Sequence, residues 1–221
     1  MSDDWTNSRN IEEFFGKFRL IRYKKHETIL RAEEVPQGVY YLKRGYVRDY
    51  AISEQGDEFT LIIFKPGDLF PVGWVINNEP FVHYLESMTQ TEIFRAPKEK
   101  FTSFMRANPE ALYLFTQRML YRLMGFMDRM EHMAFGNAHQ KLASILIICG
   151  QRFGIKEGKN ILIQVPLTHK DLANLVGLTR ETTSLEIKKF QKENLIGYRG
   201  KNIIIKNLRK LKNESLQGHS E

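Results

Sequence analysis

The sequence contains a single cysteine, Cys149, and this scarcity limits the chemistry available to the chain. One thiol cannot form a disulfide within the chain, and it cannot supply the set of thiolates that holds an iron–sulfur cluster. Cys149 directly follows the apolar run 145–148. We therefore expect a buried, unreactive thiol rather than a redox sensor.

Long apolar segments are also missing from the sequence. No run approaches the roughly 18 consecutive apolar residues that a membrane-spanning helix needs. The first residues, 1–5, are acidic and polar, unlike a secretory signal. These absences predict a protein without a membrane partner that is located in the cytoplasm.

Motifs that mark catalytic or metal-binding sites are absent too. The sequence has no phosphate-cradling glycine loop, no Gly-x-Ser-x-Gly and no His-Glu-x-x-His. Its histidines are scattered, and the pair His132 and His139 is explained more simply by surface or hinge packing. The sequence thus predicts no catalytic residue, no metal site and no cofactor, and it leaves the effector unidentified.

Basic charge is concentrated in the C-terminal part of the chain. Residues 136–221 hold 15 Lys and Arg against 7 Asp and Glu, whereas residues 1–135 hold 18 against 19. A net charge of +8 beside one of −1 predicts a polyanion-binding domain joined to a domain with another task.

The segment 167–196 has the pattern of two short helices around a tight turn. Thr168 and Thr179 are good N-caps for the two helices, and Gly177 suits the turn between them. The second helix turns Thr183, Ile187 and Phe190 inward and leaves charged residues near its start. Arg, Glu and Ser at the start of a basic helix suit a DNA major groove. From the pattern alone, an ordinary helical hairpin with a solvated charged face remains an alternative.

The run 171–184 closely resembles the helix-turn-helix of the Crp/Fnr superfamily of bacterial transcription regulators. That family usually has a second Arg four residues after the Glu of its recognition helix, where this chain has Leu185. The resemblance implies a set of DNA-contacting residues: Thr168, His169, Thr179, Arg180, Glu181, Thr182, Ser184, Leu185, Lys188 and, in a basic wing, Lys201.

Residues 21–97 alternate short apolar segments with turn signals such as Pro66-Gly67-Asp68. Many short strands at this spacing predict an antiparallel sandwich or barrel. The order of these signals resembles the β-roll of the same superfamily. This domain also occurs in cyclic-nucleotide-gated channels and kinases, so by itself it does not indicate transcription.

The predicted β-roll lacks the residues that bind cyclic nucleotides in the family. Such members carry a Gly-Glu pair soon after the Pro-Gly-Asp turn, then an Arg that meets the cyclic phosphate. This chain has Pro71 and Val72 at the first place and Phe81, Val82 and His83 near the second. We therefore expect no cyclic AMP binding. If a pocket persists, it favours an apolar or aromatic effector. Its candidate residues, for which core packing is the alternative, are Phe64, Phe70, Trp74, Phe81 and Tyr84.

A long helix is predicted from Pro109 to about residue 134, with Pro109 in its first turn. It has two apolar stripes, and one of them repeats in steps of four and three, as in a helix that pairs with another helix. A core helix of a single chain needs only one stripe, so we expect dimerisation. Regulators of the family dimerise through a helix at this place. The predicted seam contains Leu120, Leu123, Met127 and Met130.

Together these patterns predict an α+β chain. Residues 1–108 form an antiparallel, jelly-roll-like β-roll sensor domain, 109–135 a dimerisation helix, and 136–221 a winged helix-turn-helix DNA-binding domain. The predicted function is a transcription regulator that binds palindromic double-stranded DNA as a homodimer, with RNA polymerase as a further candidate partner. The alternative is a β-roll sensor whose main output is protein interaction.

Overall fold

The computed structural model describes residues 9–216, so the prediction made for residues 1–5 lies outside the described part of the chain. The chain forms two compact units that divide after Arg122. Within residues 9–216, none of the helices combines the length and the apolarity that crossing a membrane requires.

The first unit contains two antiparallel four-stranded sheets flanked by helices. Its elements in chain order are α1 (Arg9–Gly16), β1 (Leu20–Tyr23), β2 (Thr28–Leu30), β3 (Val39–Arg44), β4 (Val47–Ile52), β5 (Glu58–Phe64), β6 (Leu69–Phe70), α2 (Gly73–Asn77), β7 (Tyr84–Ser87), β8 (Thr91–Ala96), α3 (Lys98–Ala107) and the start of α4 (Pro109–Phe135). The strand orders are β1-β8-β3-β6 and β2-β7-β4-β5. This arrangement confirms the predicted antiparallel β-roll.

Strand β3 shows how the β-roll is held together. Four consecutive residues of this strand are buried, because both of its faces are covered. Val39 and Tyr41 pack in a cluster with residues of α1 and α3. Tyr40 and Leu42 point the other way, into a second cluster shared with the opposing sheet. Burial on both faces explains why this segment is continuously apolar instead of alternating.

Several elements of this unit were missing from the sequence prediction. They are the strands β1, β6 and β7 and the helices α2 and α3. Helix α3 did carry a helical signal, since its buried residues Phe101 and Met105 stand four residues apart. Strand β7 carried almost none, because its buried face combines apolar Leu85 with polar Ser87, so apolar and polar residues do not alternate along it.

The second unit contains the remainder of α4 and a small α+β domain. The further elements are α5 (Ala138–Phe153), β9 (Gly154–Glu157), β10 (Asn160–Ile163), α6 (His169–Val176), α7 (Arg180–Lys192), β11 (Ile196–Arg199), β12 (Asn202–Ile205) and α8 (Leu208–Asn213). The antiparallel sheet has the order β11-β12-β10-β9. Helices α6 and α7 with the β11–β12 hairpin form the predicted winged helix-turn-helix; β9 was not predicted.

Helix α5 forms the centre of this domain and packs against α6, α7, α8 and the sheet. It begins at a capping box in which the Asn137 side chain accepts from the Gln140 backbone and the Gln140 side chain accepts from the Asn137 backbone. It ends at Phe153, four residues after Cys149. The Cys149 thiol is buried, and burial raises its pKa to about 12. The expectation of a buried thiol is confirmed, and the raised pKa disfavours the reactive thiolate form.

Candidate nucleic-acid interface

The two helices of the helix-turn-helix are fixed by local interactions that the sequence predicted. Thr168 forms a capping box with Asp171: its hydroxyl oxygen accepts from the Asp171 backbone N–H at 3.1 Å, and its own N–H donates to the Asp171 carboxylate at 2.8 Å. Gly177 ends α6 in the left-handed conformation, with φ +65°, where a side chain would add strain. The Thr179 hydroxyl caps α7 by accepting from Thr182 N–H at 3.1 Å.

Helix α7 separates a buried face from an exposed one. Thr183, Ile187 and Phe190 are fully buried, as predicted. The opposite side exposes Arg180, Glu181, Leu185 and Lys188, and the Leu185 side chain has 60% of its surface open to solvent. An exposed apolar side chain forms no hydrogen bonds with water. In a major groove, however, it can contact a thymine methyl group.

Two of the predicted DNA-contacting residues, His169 and Ser184, bind each other. Atom Nδ1 of His169 lies 2.8 Å from Ser184 Oγ, and Nε2 lies 3.2 Å from the hydroxyl of Tyr198. The Ser184 hydroxyl donates to the carbonyl of Arg180 at 2.8 Å. Burial, followed by the charges of Arg180 and Lys188, lowers the pKa of His169. This His169 cluster, which is His169, Ser184 and Tyr198, joins α6, α7 and the wing strand β11.

Two further polar contacts hold the wing to the rest of its domain. Arg199 binds both oxygens of Glu157 at 2.9 and 2.7 Å. The Asn202 amide donates to the carbonyls of Ile163 and Gln164 at 2.7 and 2.8 Å. Lys201 is exposed in the turn between the two wing strands. The hairpin therefore presents a lysine on a well-anchored support.

Helix α7 also carries a buried carboxylate that the sequence pattern did not predict. Glu186 is 8% exposed and accepts from His139 at 2.6 Å and from Lys189 at 2.7 Å. Burial alone would raise the pKa of Glu186, but the hydrogen bonds from Lys189 and His139 outweigh it, so the pKa is lowered. The His139 ring packs against Phe190, with 4.4 Å between ring centroids. His139 therefore joins α5 to the buried side of α7.

The predicted seam of α4 is open to solvent in the single chain. Leu120, Leu123, Met127 and Met130 expose between 55 and 61% of their surfaces. On the other predicted stripe, Phe115, Met119 and Met133 are half-buried. A row of four exposed large apolar side chains on one helix is unfavourable in water unless another surface covers it.

The aromatic residues proposed as an effector pocket fall in three places within the β-roll. Phe64 and Phe70 stack in the core at 4.6 Å, and Phe81 packs against the same cluster. Trp74 lies on α2 beneath the ammonium group of Lys98. Tyr84 stacks on Tyr50. Core packing therefore accounts for three of the five.

The core side of the β-roll also holds a polar pair that the sequence did not reveal. Asp49 is 6% exposed and aligns with the core residue Leu85 of the neighbouring strand. Its carboxylate lies 3.3 Å from Nδ1 of His83. The hydrogen bond to Asp49 raises the pKa of His83, although partial burial opposes the shift. This pair joins β4 to the segment that precedes β7.

Helix α4 is joined to the Pro66-Gly67-Asp68 turn by two arginines. Arg118 donates to the Gly67 carbonyl, and Arg122 lies 2.6 Å from the Asp68 carboxylate. The Arg122 guanidinium also lies over the Phe64 ring. We call Arg118, Arg122 and this turn the arginine clamp; both of its cations are thus engaged within the protein.

Both parts of the chain are similar to known protein families. A family model of the cyclic nucleotide-binding domain matches residues 20–108, and one of the Crp-like helix-turn-helix domain matches residues 140–214. The global nitrogen regulator of Nostoc sp. is 24% identical over 83% of each chain. The cAMP-activated global transcriptional regulator CRP of Salmonella typhimurium is 22% identical over 88% of this chain and 93% of its own.

The solved structure of FixK2 from Bradyrhizobium japonicum has the same fold. It superposes with a TM-score of 0.77 and covers 90% of this chain and 97% of its own, at 20% identity. The order of β-roll, long helix and helix-turn-helix is therefore shared along nearly the whole chain.

Proposed function

Because this chain is a transcription regulator of the Crp/Fnr superfamily, we propose that it binds a palindromic DNA site as a homodimer, with residues 109–135 as the dimerisation helix between the sensor domain 1–108 and the DNA-binding domain 136–221. The proposal is carried by the exposed start of α7, where Arg180, Glu181 and Leu185 face solvent on a helix whose N-terminus is capped by Thr179. Two such helices read two half-sites when the dimer axis coincides with the axis of the palindrome.

The side chains of α7 divide into groups that read bases and groups that bind the backbone. Arg180 suits the two acceptors of a guanine, Glu181 the amine of a cytosine, and Leu185 a thymine methyl. The proposed contacts to the DNA backbone come from the start of α6, from α7 and from the wing: Thr168, His169, Thr179, Thr182, Lys188 and Lys201. Ser184 supports this surface from within, because its hydroxyl is bonded to Arg180 and His169.

The exposed seam of α4 supports the dimer. Leu120, Leu123, Met127 and Met130 recur at the spacing of a helix that pairs with a second helix. Covering them with the same row of a second copy removes this apolar surface from water.

The sensor domain is proposed to respond to something other than cyclic AMP. The places of the phosphate-binding arginine and its neighbours hold Phe81, Val82 and His83. The five aromatic residues considered above, Phe64, Phe70, Trp74, Phe81 and Tyr84, favour an uncharged apolar or aromatic effector. Those in the core require rearrangement before a ligand contacts them.

RNA polymerase is a further proposed partner, since a regulator on DNA acts through the transcription machinery. The proposal places the protein in the cytoplasm with the DNA and assigns it no catalytic activity.

The second candidate, a sensor whose output is protein interaction, rests on the β-roll alone. The basic balance of residues 136–221 favours DNA as the main partner.

Selection of duplexes from a random pool tests this proposal. We expect an enriched palindrome whose half-sites are about one helical turn apart and whose binding weakens steeply with salt. Arg180→Ala serves as the matched variant, because it removes a base contact without touching a buried side chain. Failure to enrich any palindrome, with binding that is equal for all duplexes, would favour the protein-interaction alternative.

A further inference from the structure

The hydrogen-bond pattern of the His169 cluster determines which imidazole nitrogen carries the hydrogen. Ser184 has one hydroxyl hydrogen, and it is donated to the Arg180 carbonyl. The Ser184 oxygen can therefore only accept from His169, so Nδ1 of His169 must carry a hydrogen. In the neutral ring, Nε2 is then an acceptor, and the Tyr198 hydroxyl donates to it.

The same geometry accommodates a second hydrogen on His169 with one change. When Nε2 is protonated it becomes a donor, so the Tyr198 oxygen accepts and the Tyr198 hydroxyl hydrogen turns away from the ring. Tyr198 is 38% exposed on the wing strand β11. Protonation of His169 therefore releases one hydroxyl donor on the surface that carries the proposed DNA contacts.

The surroundings of His169 favour the neutral ring in the absence of DNA. Its side chain is partly buried, and the charged groups that act on it, Arg180 and Lys188 of α7, are both cationic. The third packed element, β11, contributes the hydroxyl of Tyr198. On its own helix, the Asp171 carboxylate accepts from the backbone and hydroxyl of Thr168. DNA phosphates bring negative charge to this cationic surface and thereby favour the protonated ring of His169.

We propose that His169 takes up a proton when the protein binds DNA, and that the Tyr198 hydroxyl thereby turns outward and donates to a phosphate oxygen. The proton comes from solvent, and the only bonds exchanged are hydrogen bonds: Nε2–H to Tyr198 replaces Tyr198 O–H to Nε2. This inference rests on the proposed placement of α7 in the major groove, which brings the start of α6 and the wing next to the backbone.

The proposal predicts the sign of the pH dependence. A group that binds a proton only in the complex makes the affinity rise as pH falls, within the interval between its pKa values in the free and bound protein. The slope is at most about tenfold in affinity per pH unit for each proton taken up. Because the pKa of free His169 is lowered, this rise extends from neutral pH into the mildly acidic range.

The test measures the affinity for a labelled duplex carrying the selected palindrome from about pH 8 to about pH 5.5 at constant ionic strength. Wild-type protein is compared with H169Q, which cannot be charged, and with Y198F, which keeps the histidine but has no hydroxyl. H26Q is the matched control, since His26 is an exposed histidine on the sensor domain that binds Glu86. Calorimetry in buffers of different ionisation enthalpy counts the protons taken up.

We expect wild type and H26Q to bind more tightly as pH falls and to take up protons, and H169Q and Y198F to have shallower slopes. At about pH 8, Y198F should bind within about twofold of wild type, because the hydroxyl donates to the ring there. Equal slopes in wild type and H169Q would overturn the proton uptake, and a full slope in Y198F would overturn the phosphate contact. If H169Q fails to fold in a thermal melt, Y198F carries the test. A wild type that binds no duplex at any pH would instead refute the proposed function.

Discussion

At the scale of single residues, Arg180 has the most specific expected effect. Its guanidinium is exposed beside the capped start of α7, where a bidentate contact to guanine is available. We expect Arg180→Ala to reduce affinity for the selected site by about 1–3 kcal/mol and to relax the preference at one base pair. The measurement is the affinity for the selected site against its single-base variants. Equal losses on every variant in both proteins would show that Arg180 reads no base.

Lys201 should behave differently, because its exposed ammonium group in the wing turn is proposed to contact the phosphate backbone. Lys201→Ala should weaken all duplexes alike and reduce the slope of log affinity against log salt by about one unit. Lys188→Ala on α7 provides the parallel case. A change in base preference in either variant would contradict the assignment to phosphate.

His83 should make the stability of the sensor domain depend on pH. Its pKa in the folded chain is raised by the hydrogen bond to Asp49, against partial burial. Its stabilising contribution is therefore complete below the unfolded-state pKa and is lost as pH rises through the folded-state pKa. Urea unfolding of wild type and His83→Gln across this interval, from about pH 6 to about pH 8, measures the difference. Identical pH profiles would exclude the pair as a stabilising contact.

At the scale of elements, helix α4 is expected to hold the dimer together. Leu123→Glu or Met127→Glu places a charge in the seam, and we expect dimerisation to weaken by several kcal/mol. Tyr121→Glu is a control, since Tyr121 is also exposed but lies about 100° around the helix from Leu120. Sedimentation at micromolar concentration measures the association. A wild type that sediments as a monomer would contradict the dimer.

The arginine clamp between α4 and the β-roll should contribute to stability. Arg122 pairs with Asp68, whose side chain is 6% exposed. Removing the arginine therefore leaves a buried negative charge without this ion-pair partner. We expect Arg122→Leu to lower the free energy of unfolding by about 1–3 kcal/mol. Arg22→Leu breaks an exposed pair with Glu92 and should cost less than about 1 kcal/mol. Equal effects in denaturant titrations would show that the clamp adds nothing beyond a surface pair.

At the scale of the whole molecule, the proposed lack of a phosphate-binding arginine predicts that cyclic AMP does not stabilise the protein. A ligand that binds only the folded protein raises the melting temperature by mass action. We expect micromolar cyclic AMP to leave the melting temperature unchanged, while the selected duplex raises it. A clear upward shift with cyclic AMP would refute the proposed divergence of the effector site.

The sequence alone determined the features that depend on neighbouring residues. Thr168 and Thr179 were recognisable as caps, Gly177 as the turn, and Thr183, Ile187 and Phe190 as a buried face, because capping and helical periodicity operate within a few residues. The helix-turn-helix run 171–184 was enough to indicate a resemblance to the Crp/Fnr family, and the charge imbalance favoured a polyanion as the partner of residues 136–221.

Only the tertiary structure decided how these elements are tied to one another. His169 and Tyr198 are 29 residues apart in sequence, and His139 and Glu186 are 47 apart. The sequence placed Ser184 on the DNA-contacting face, and the fold shows that its hydroxyl is occupied by Arg180 and His169. Such contacts have no periodic signal, because the partners approach only when separate strands and helices pack. The contacts of His169 with Ser184 and Tyr198 therefore follow from the fold rather than from local sequence.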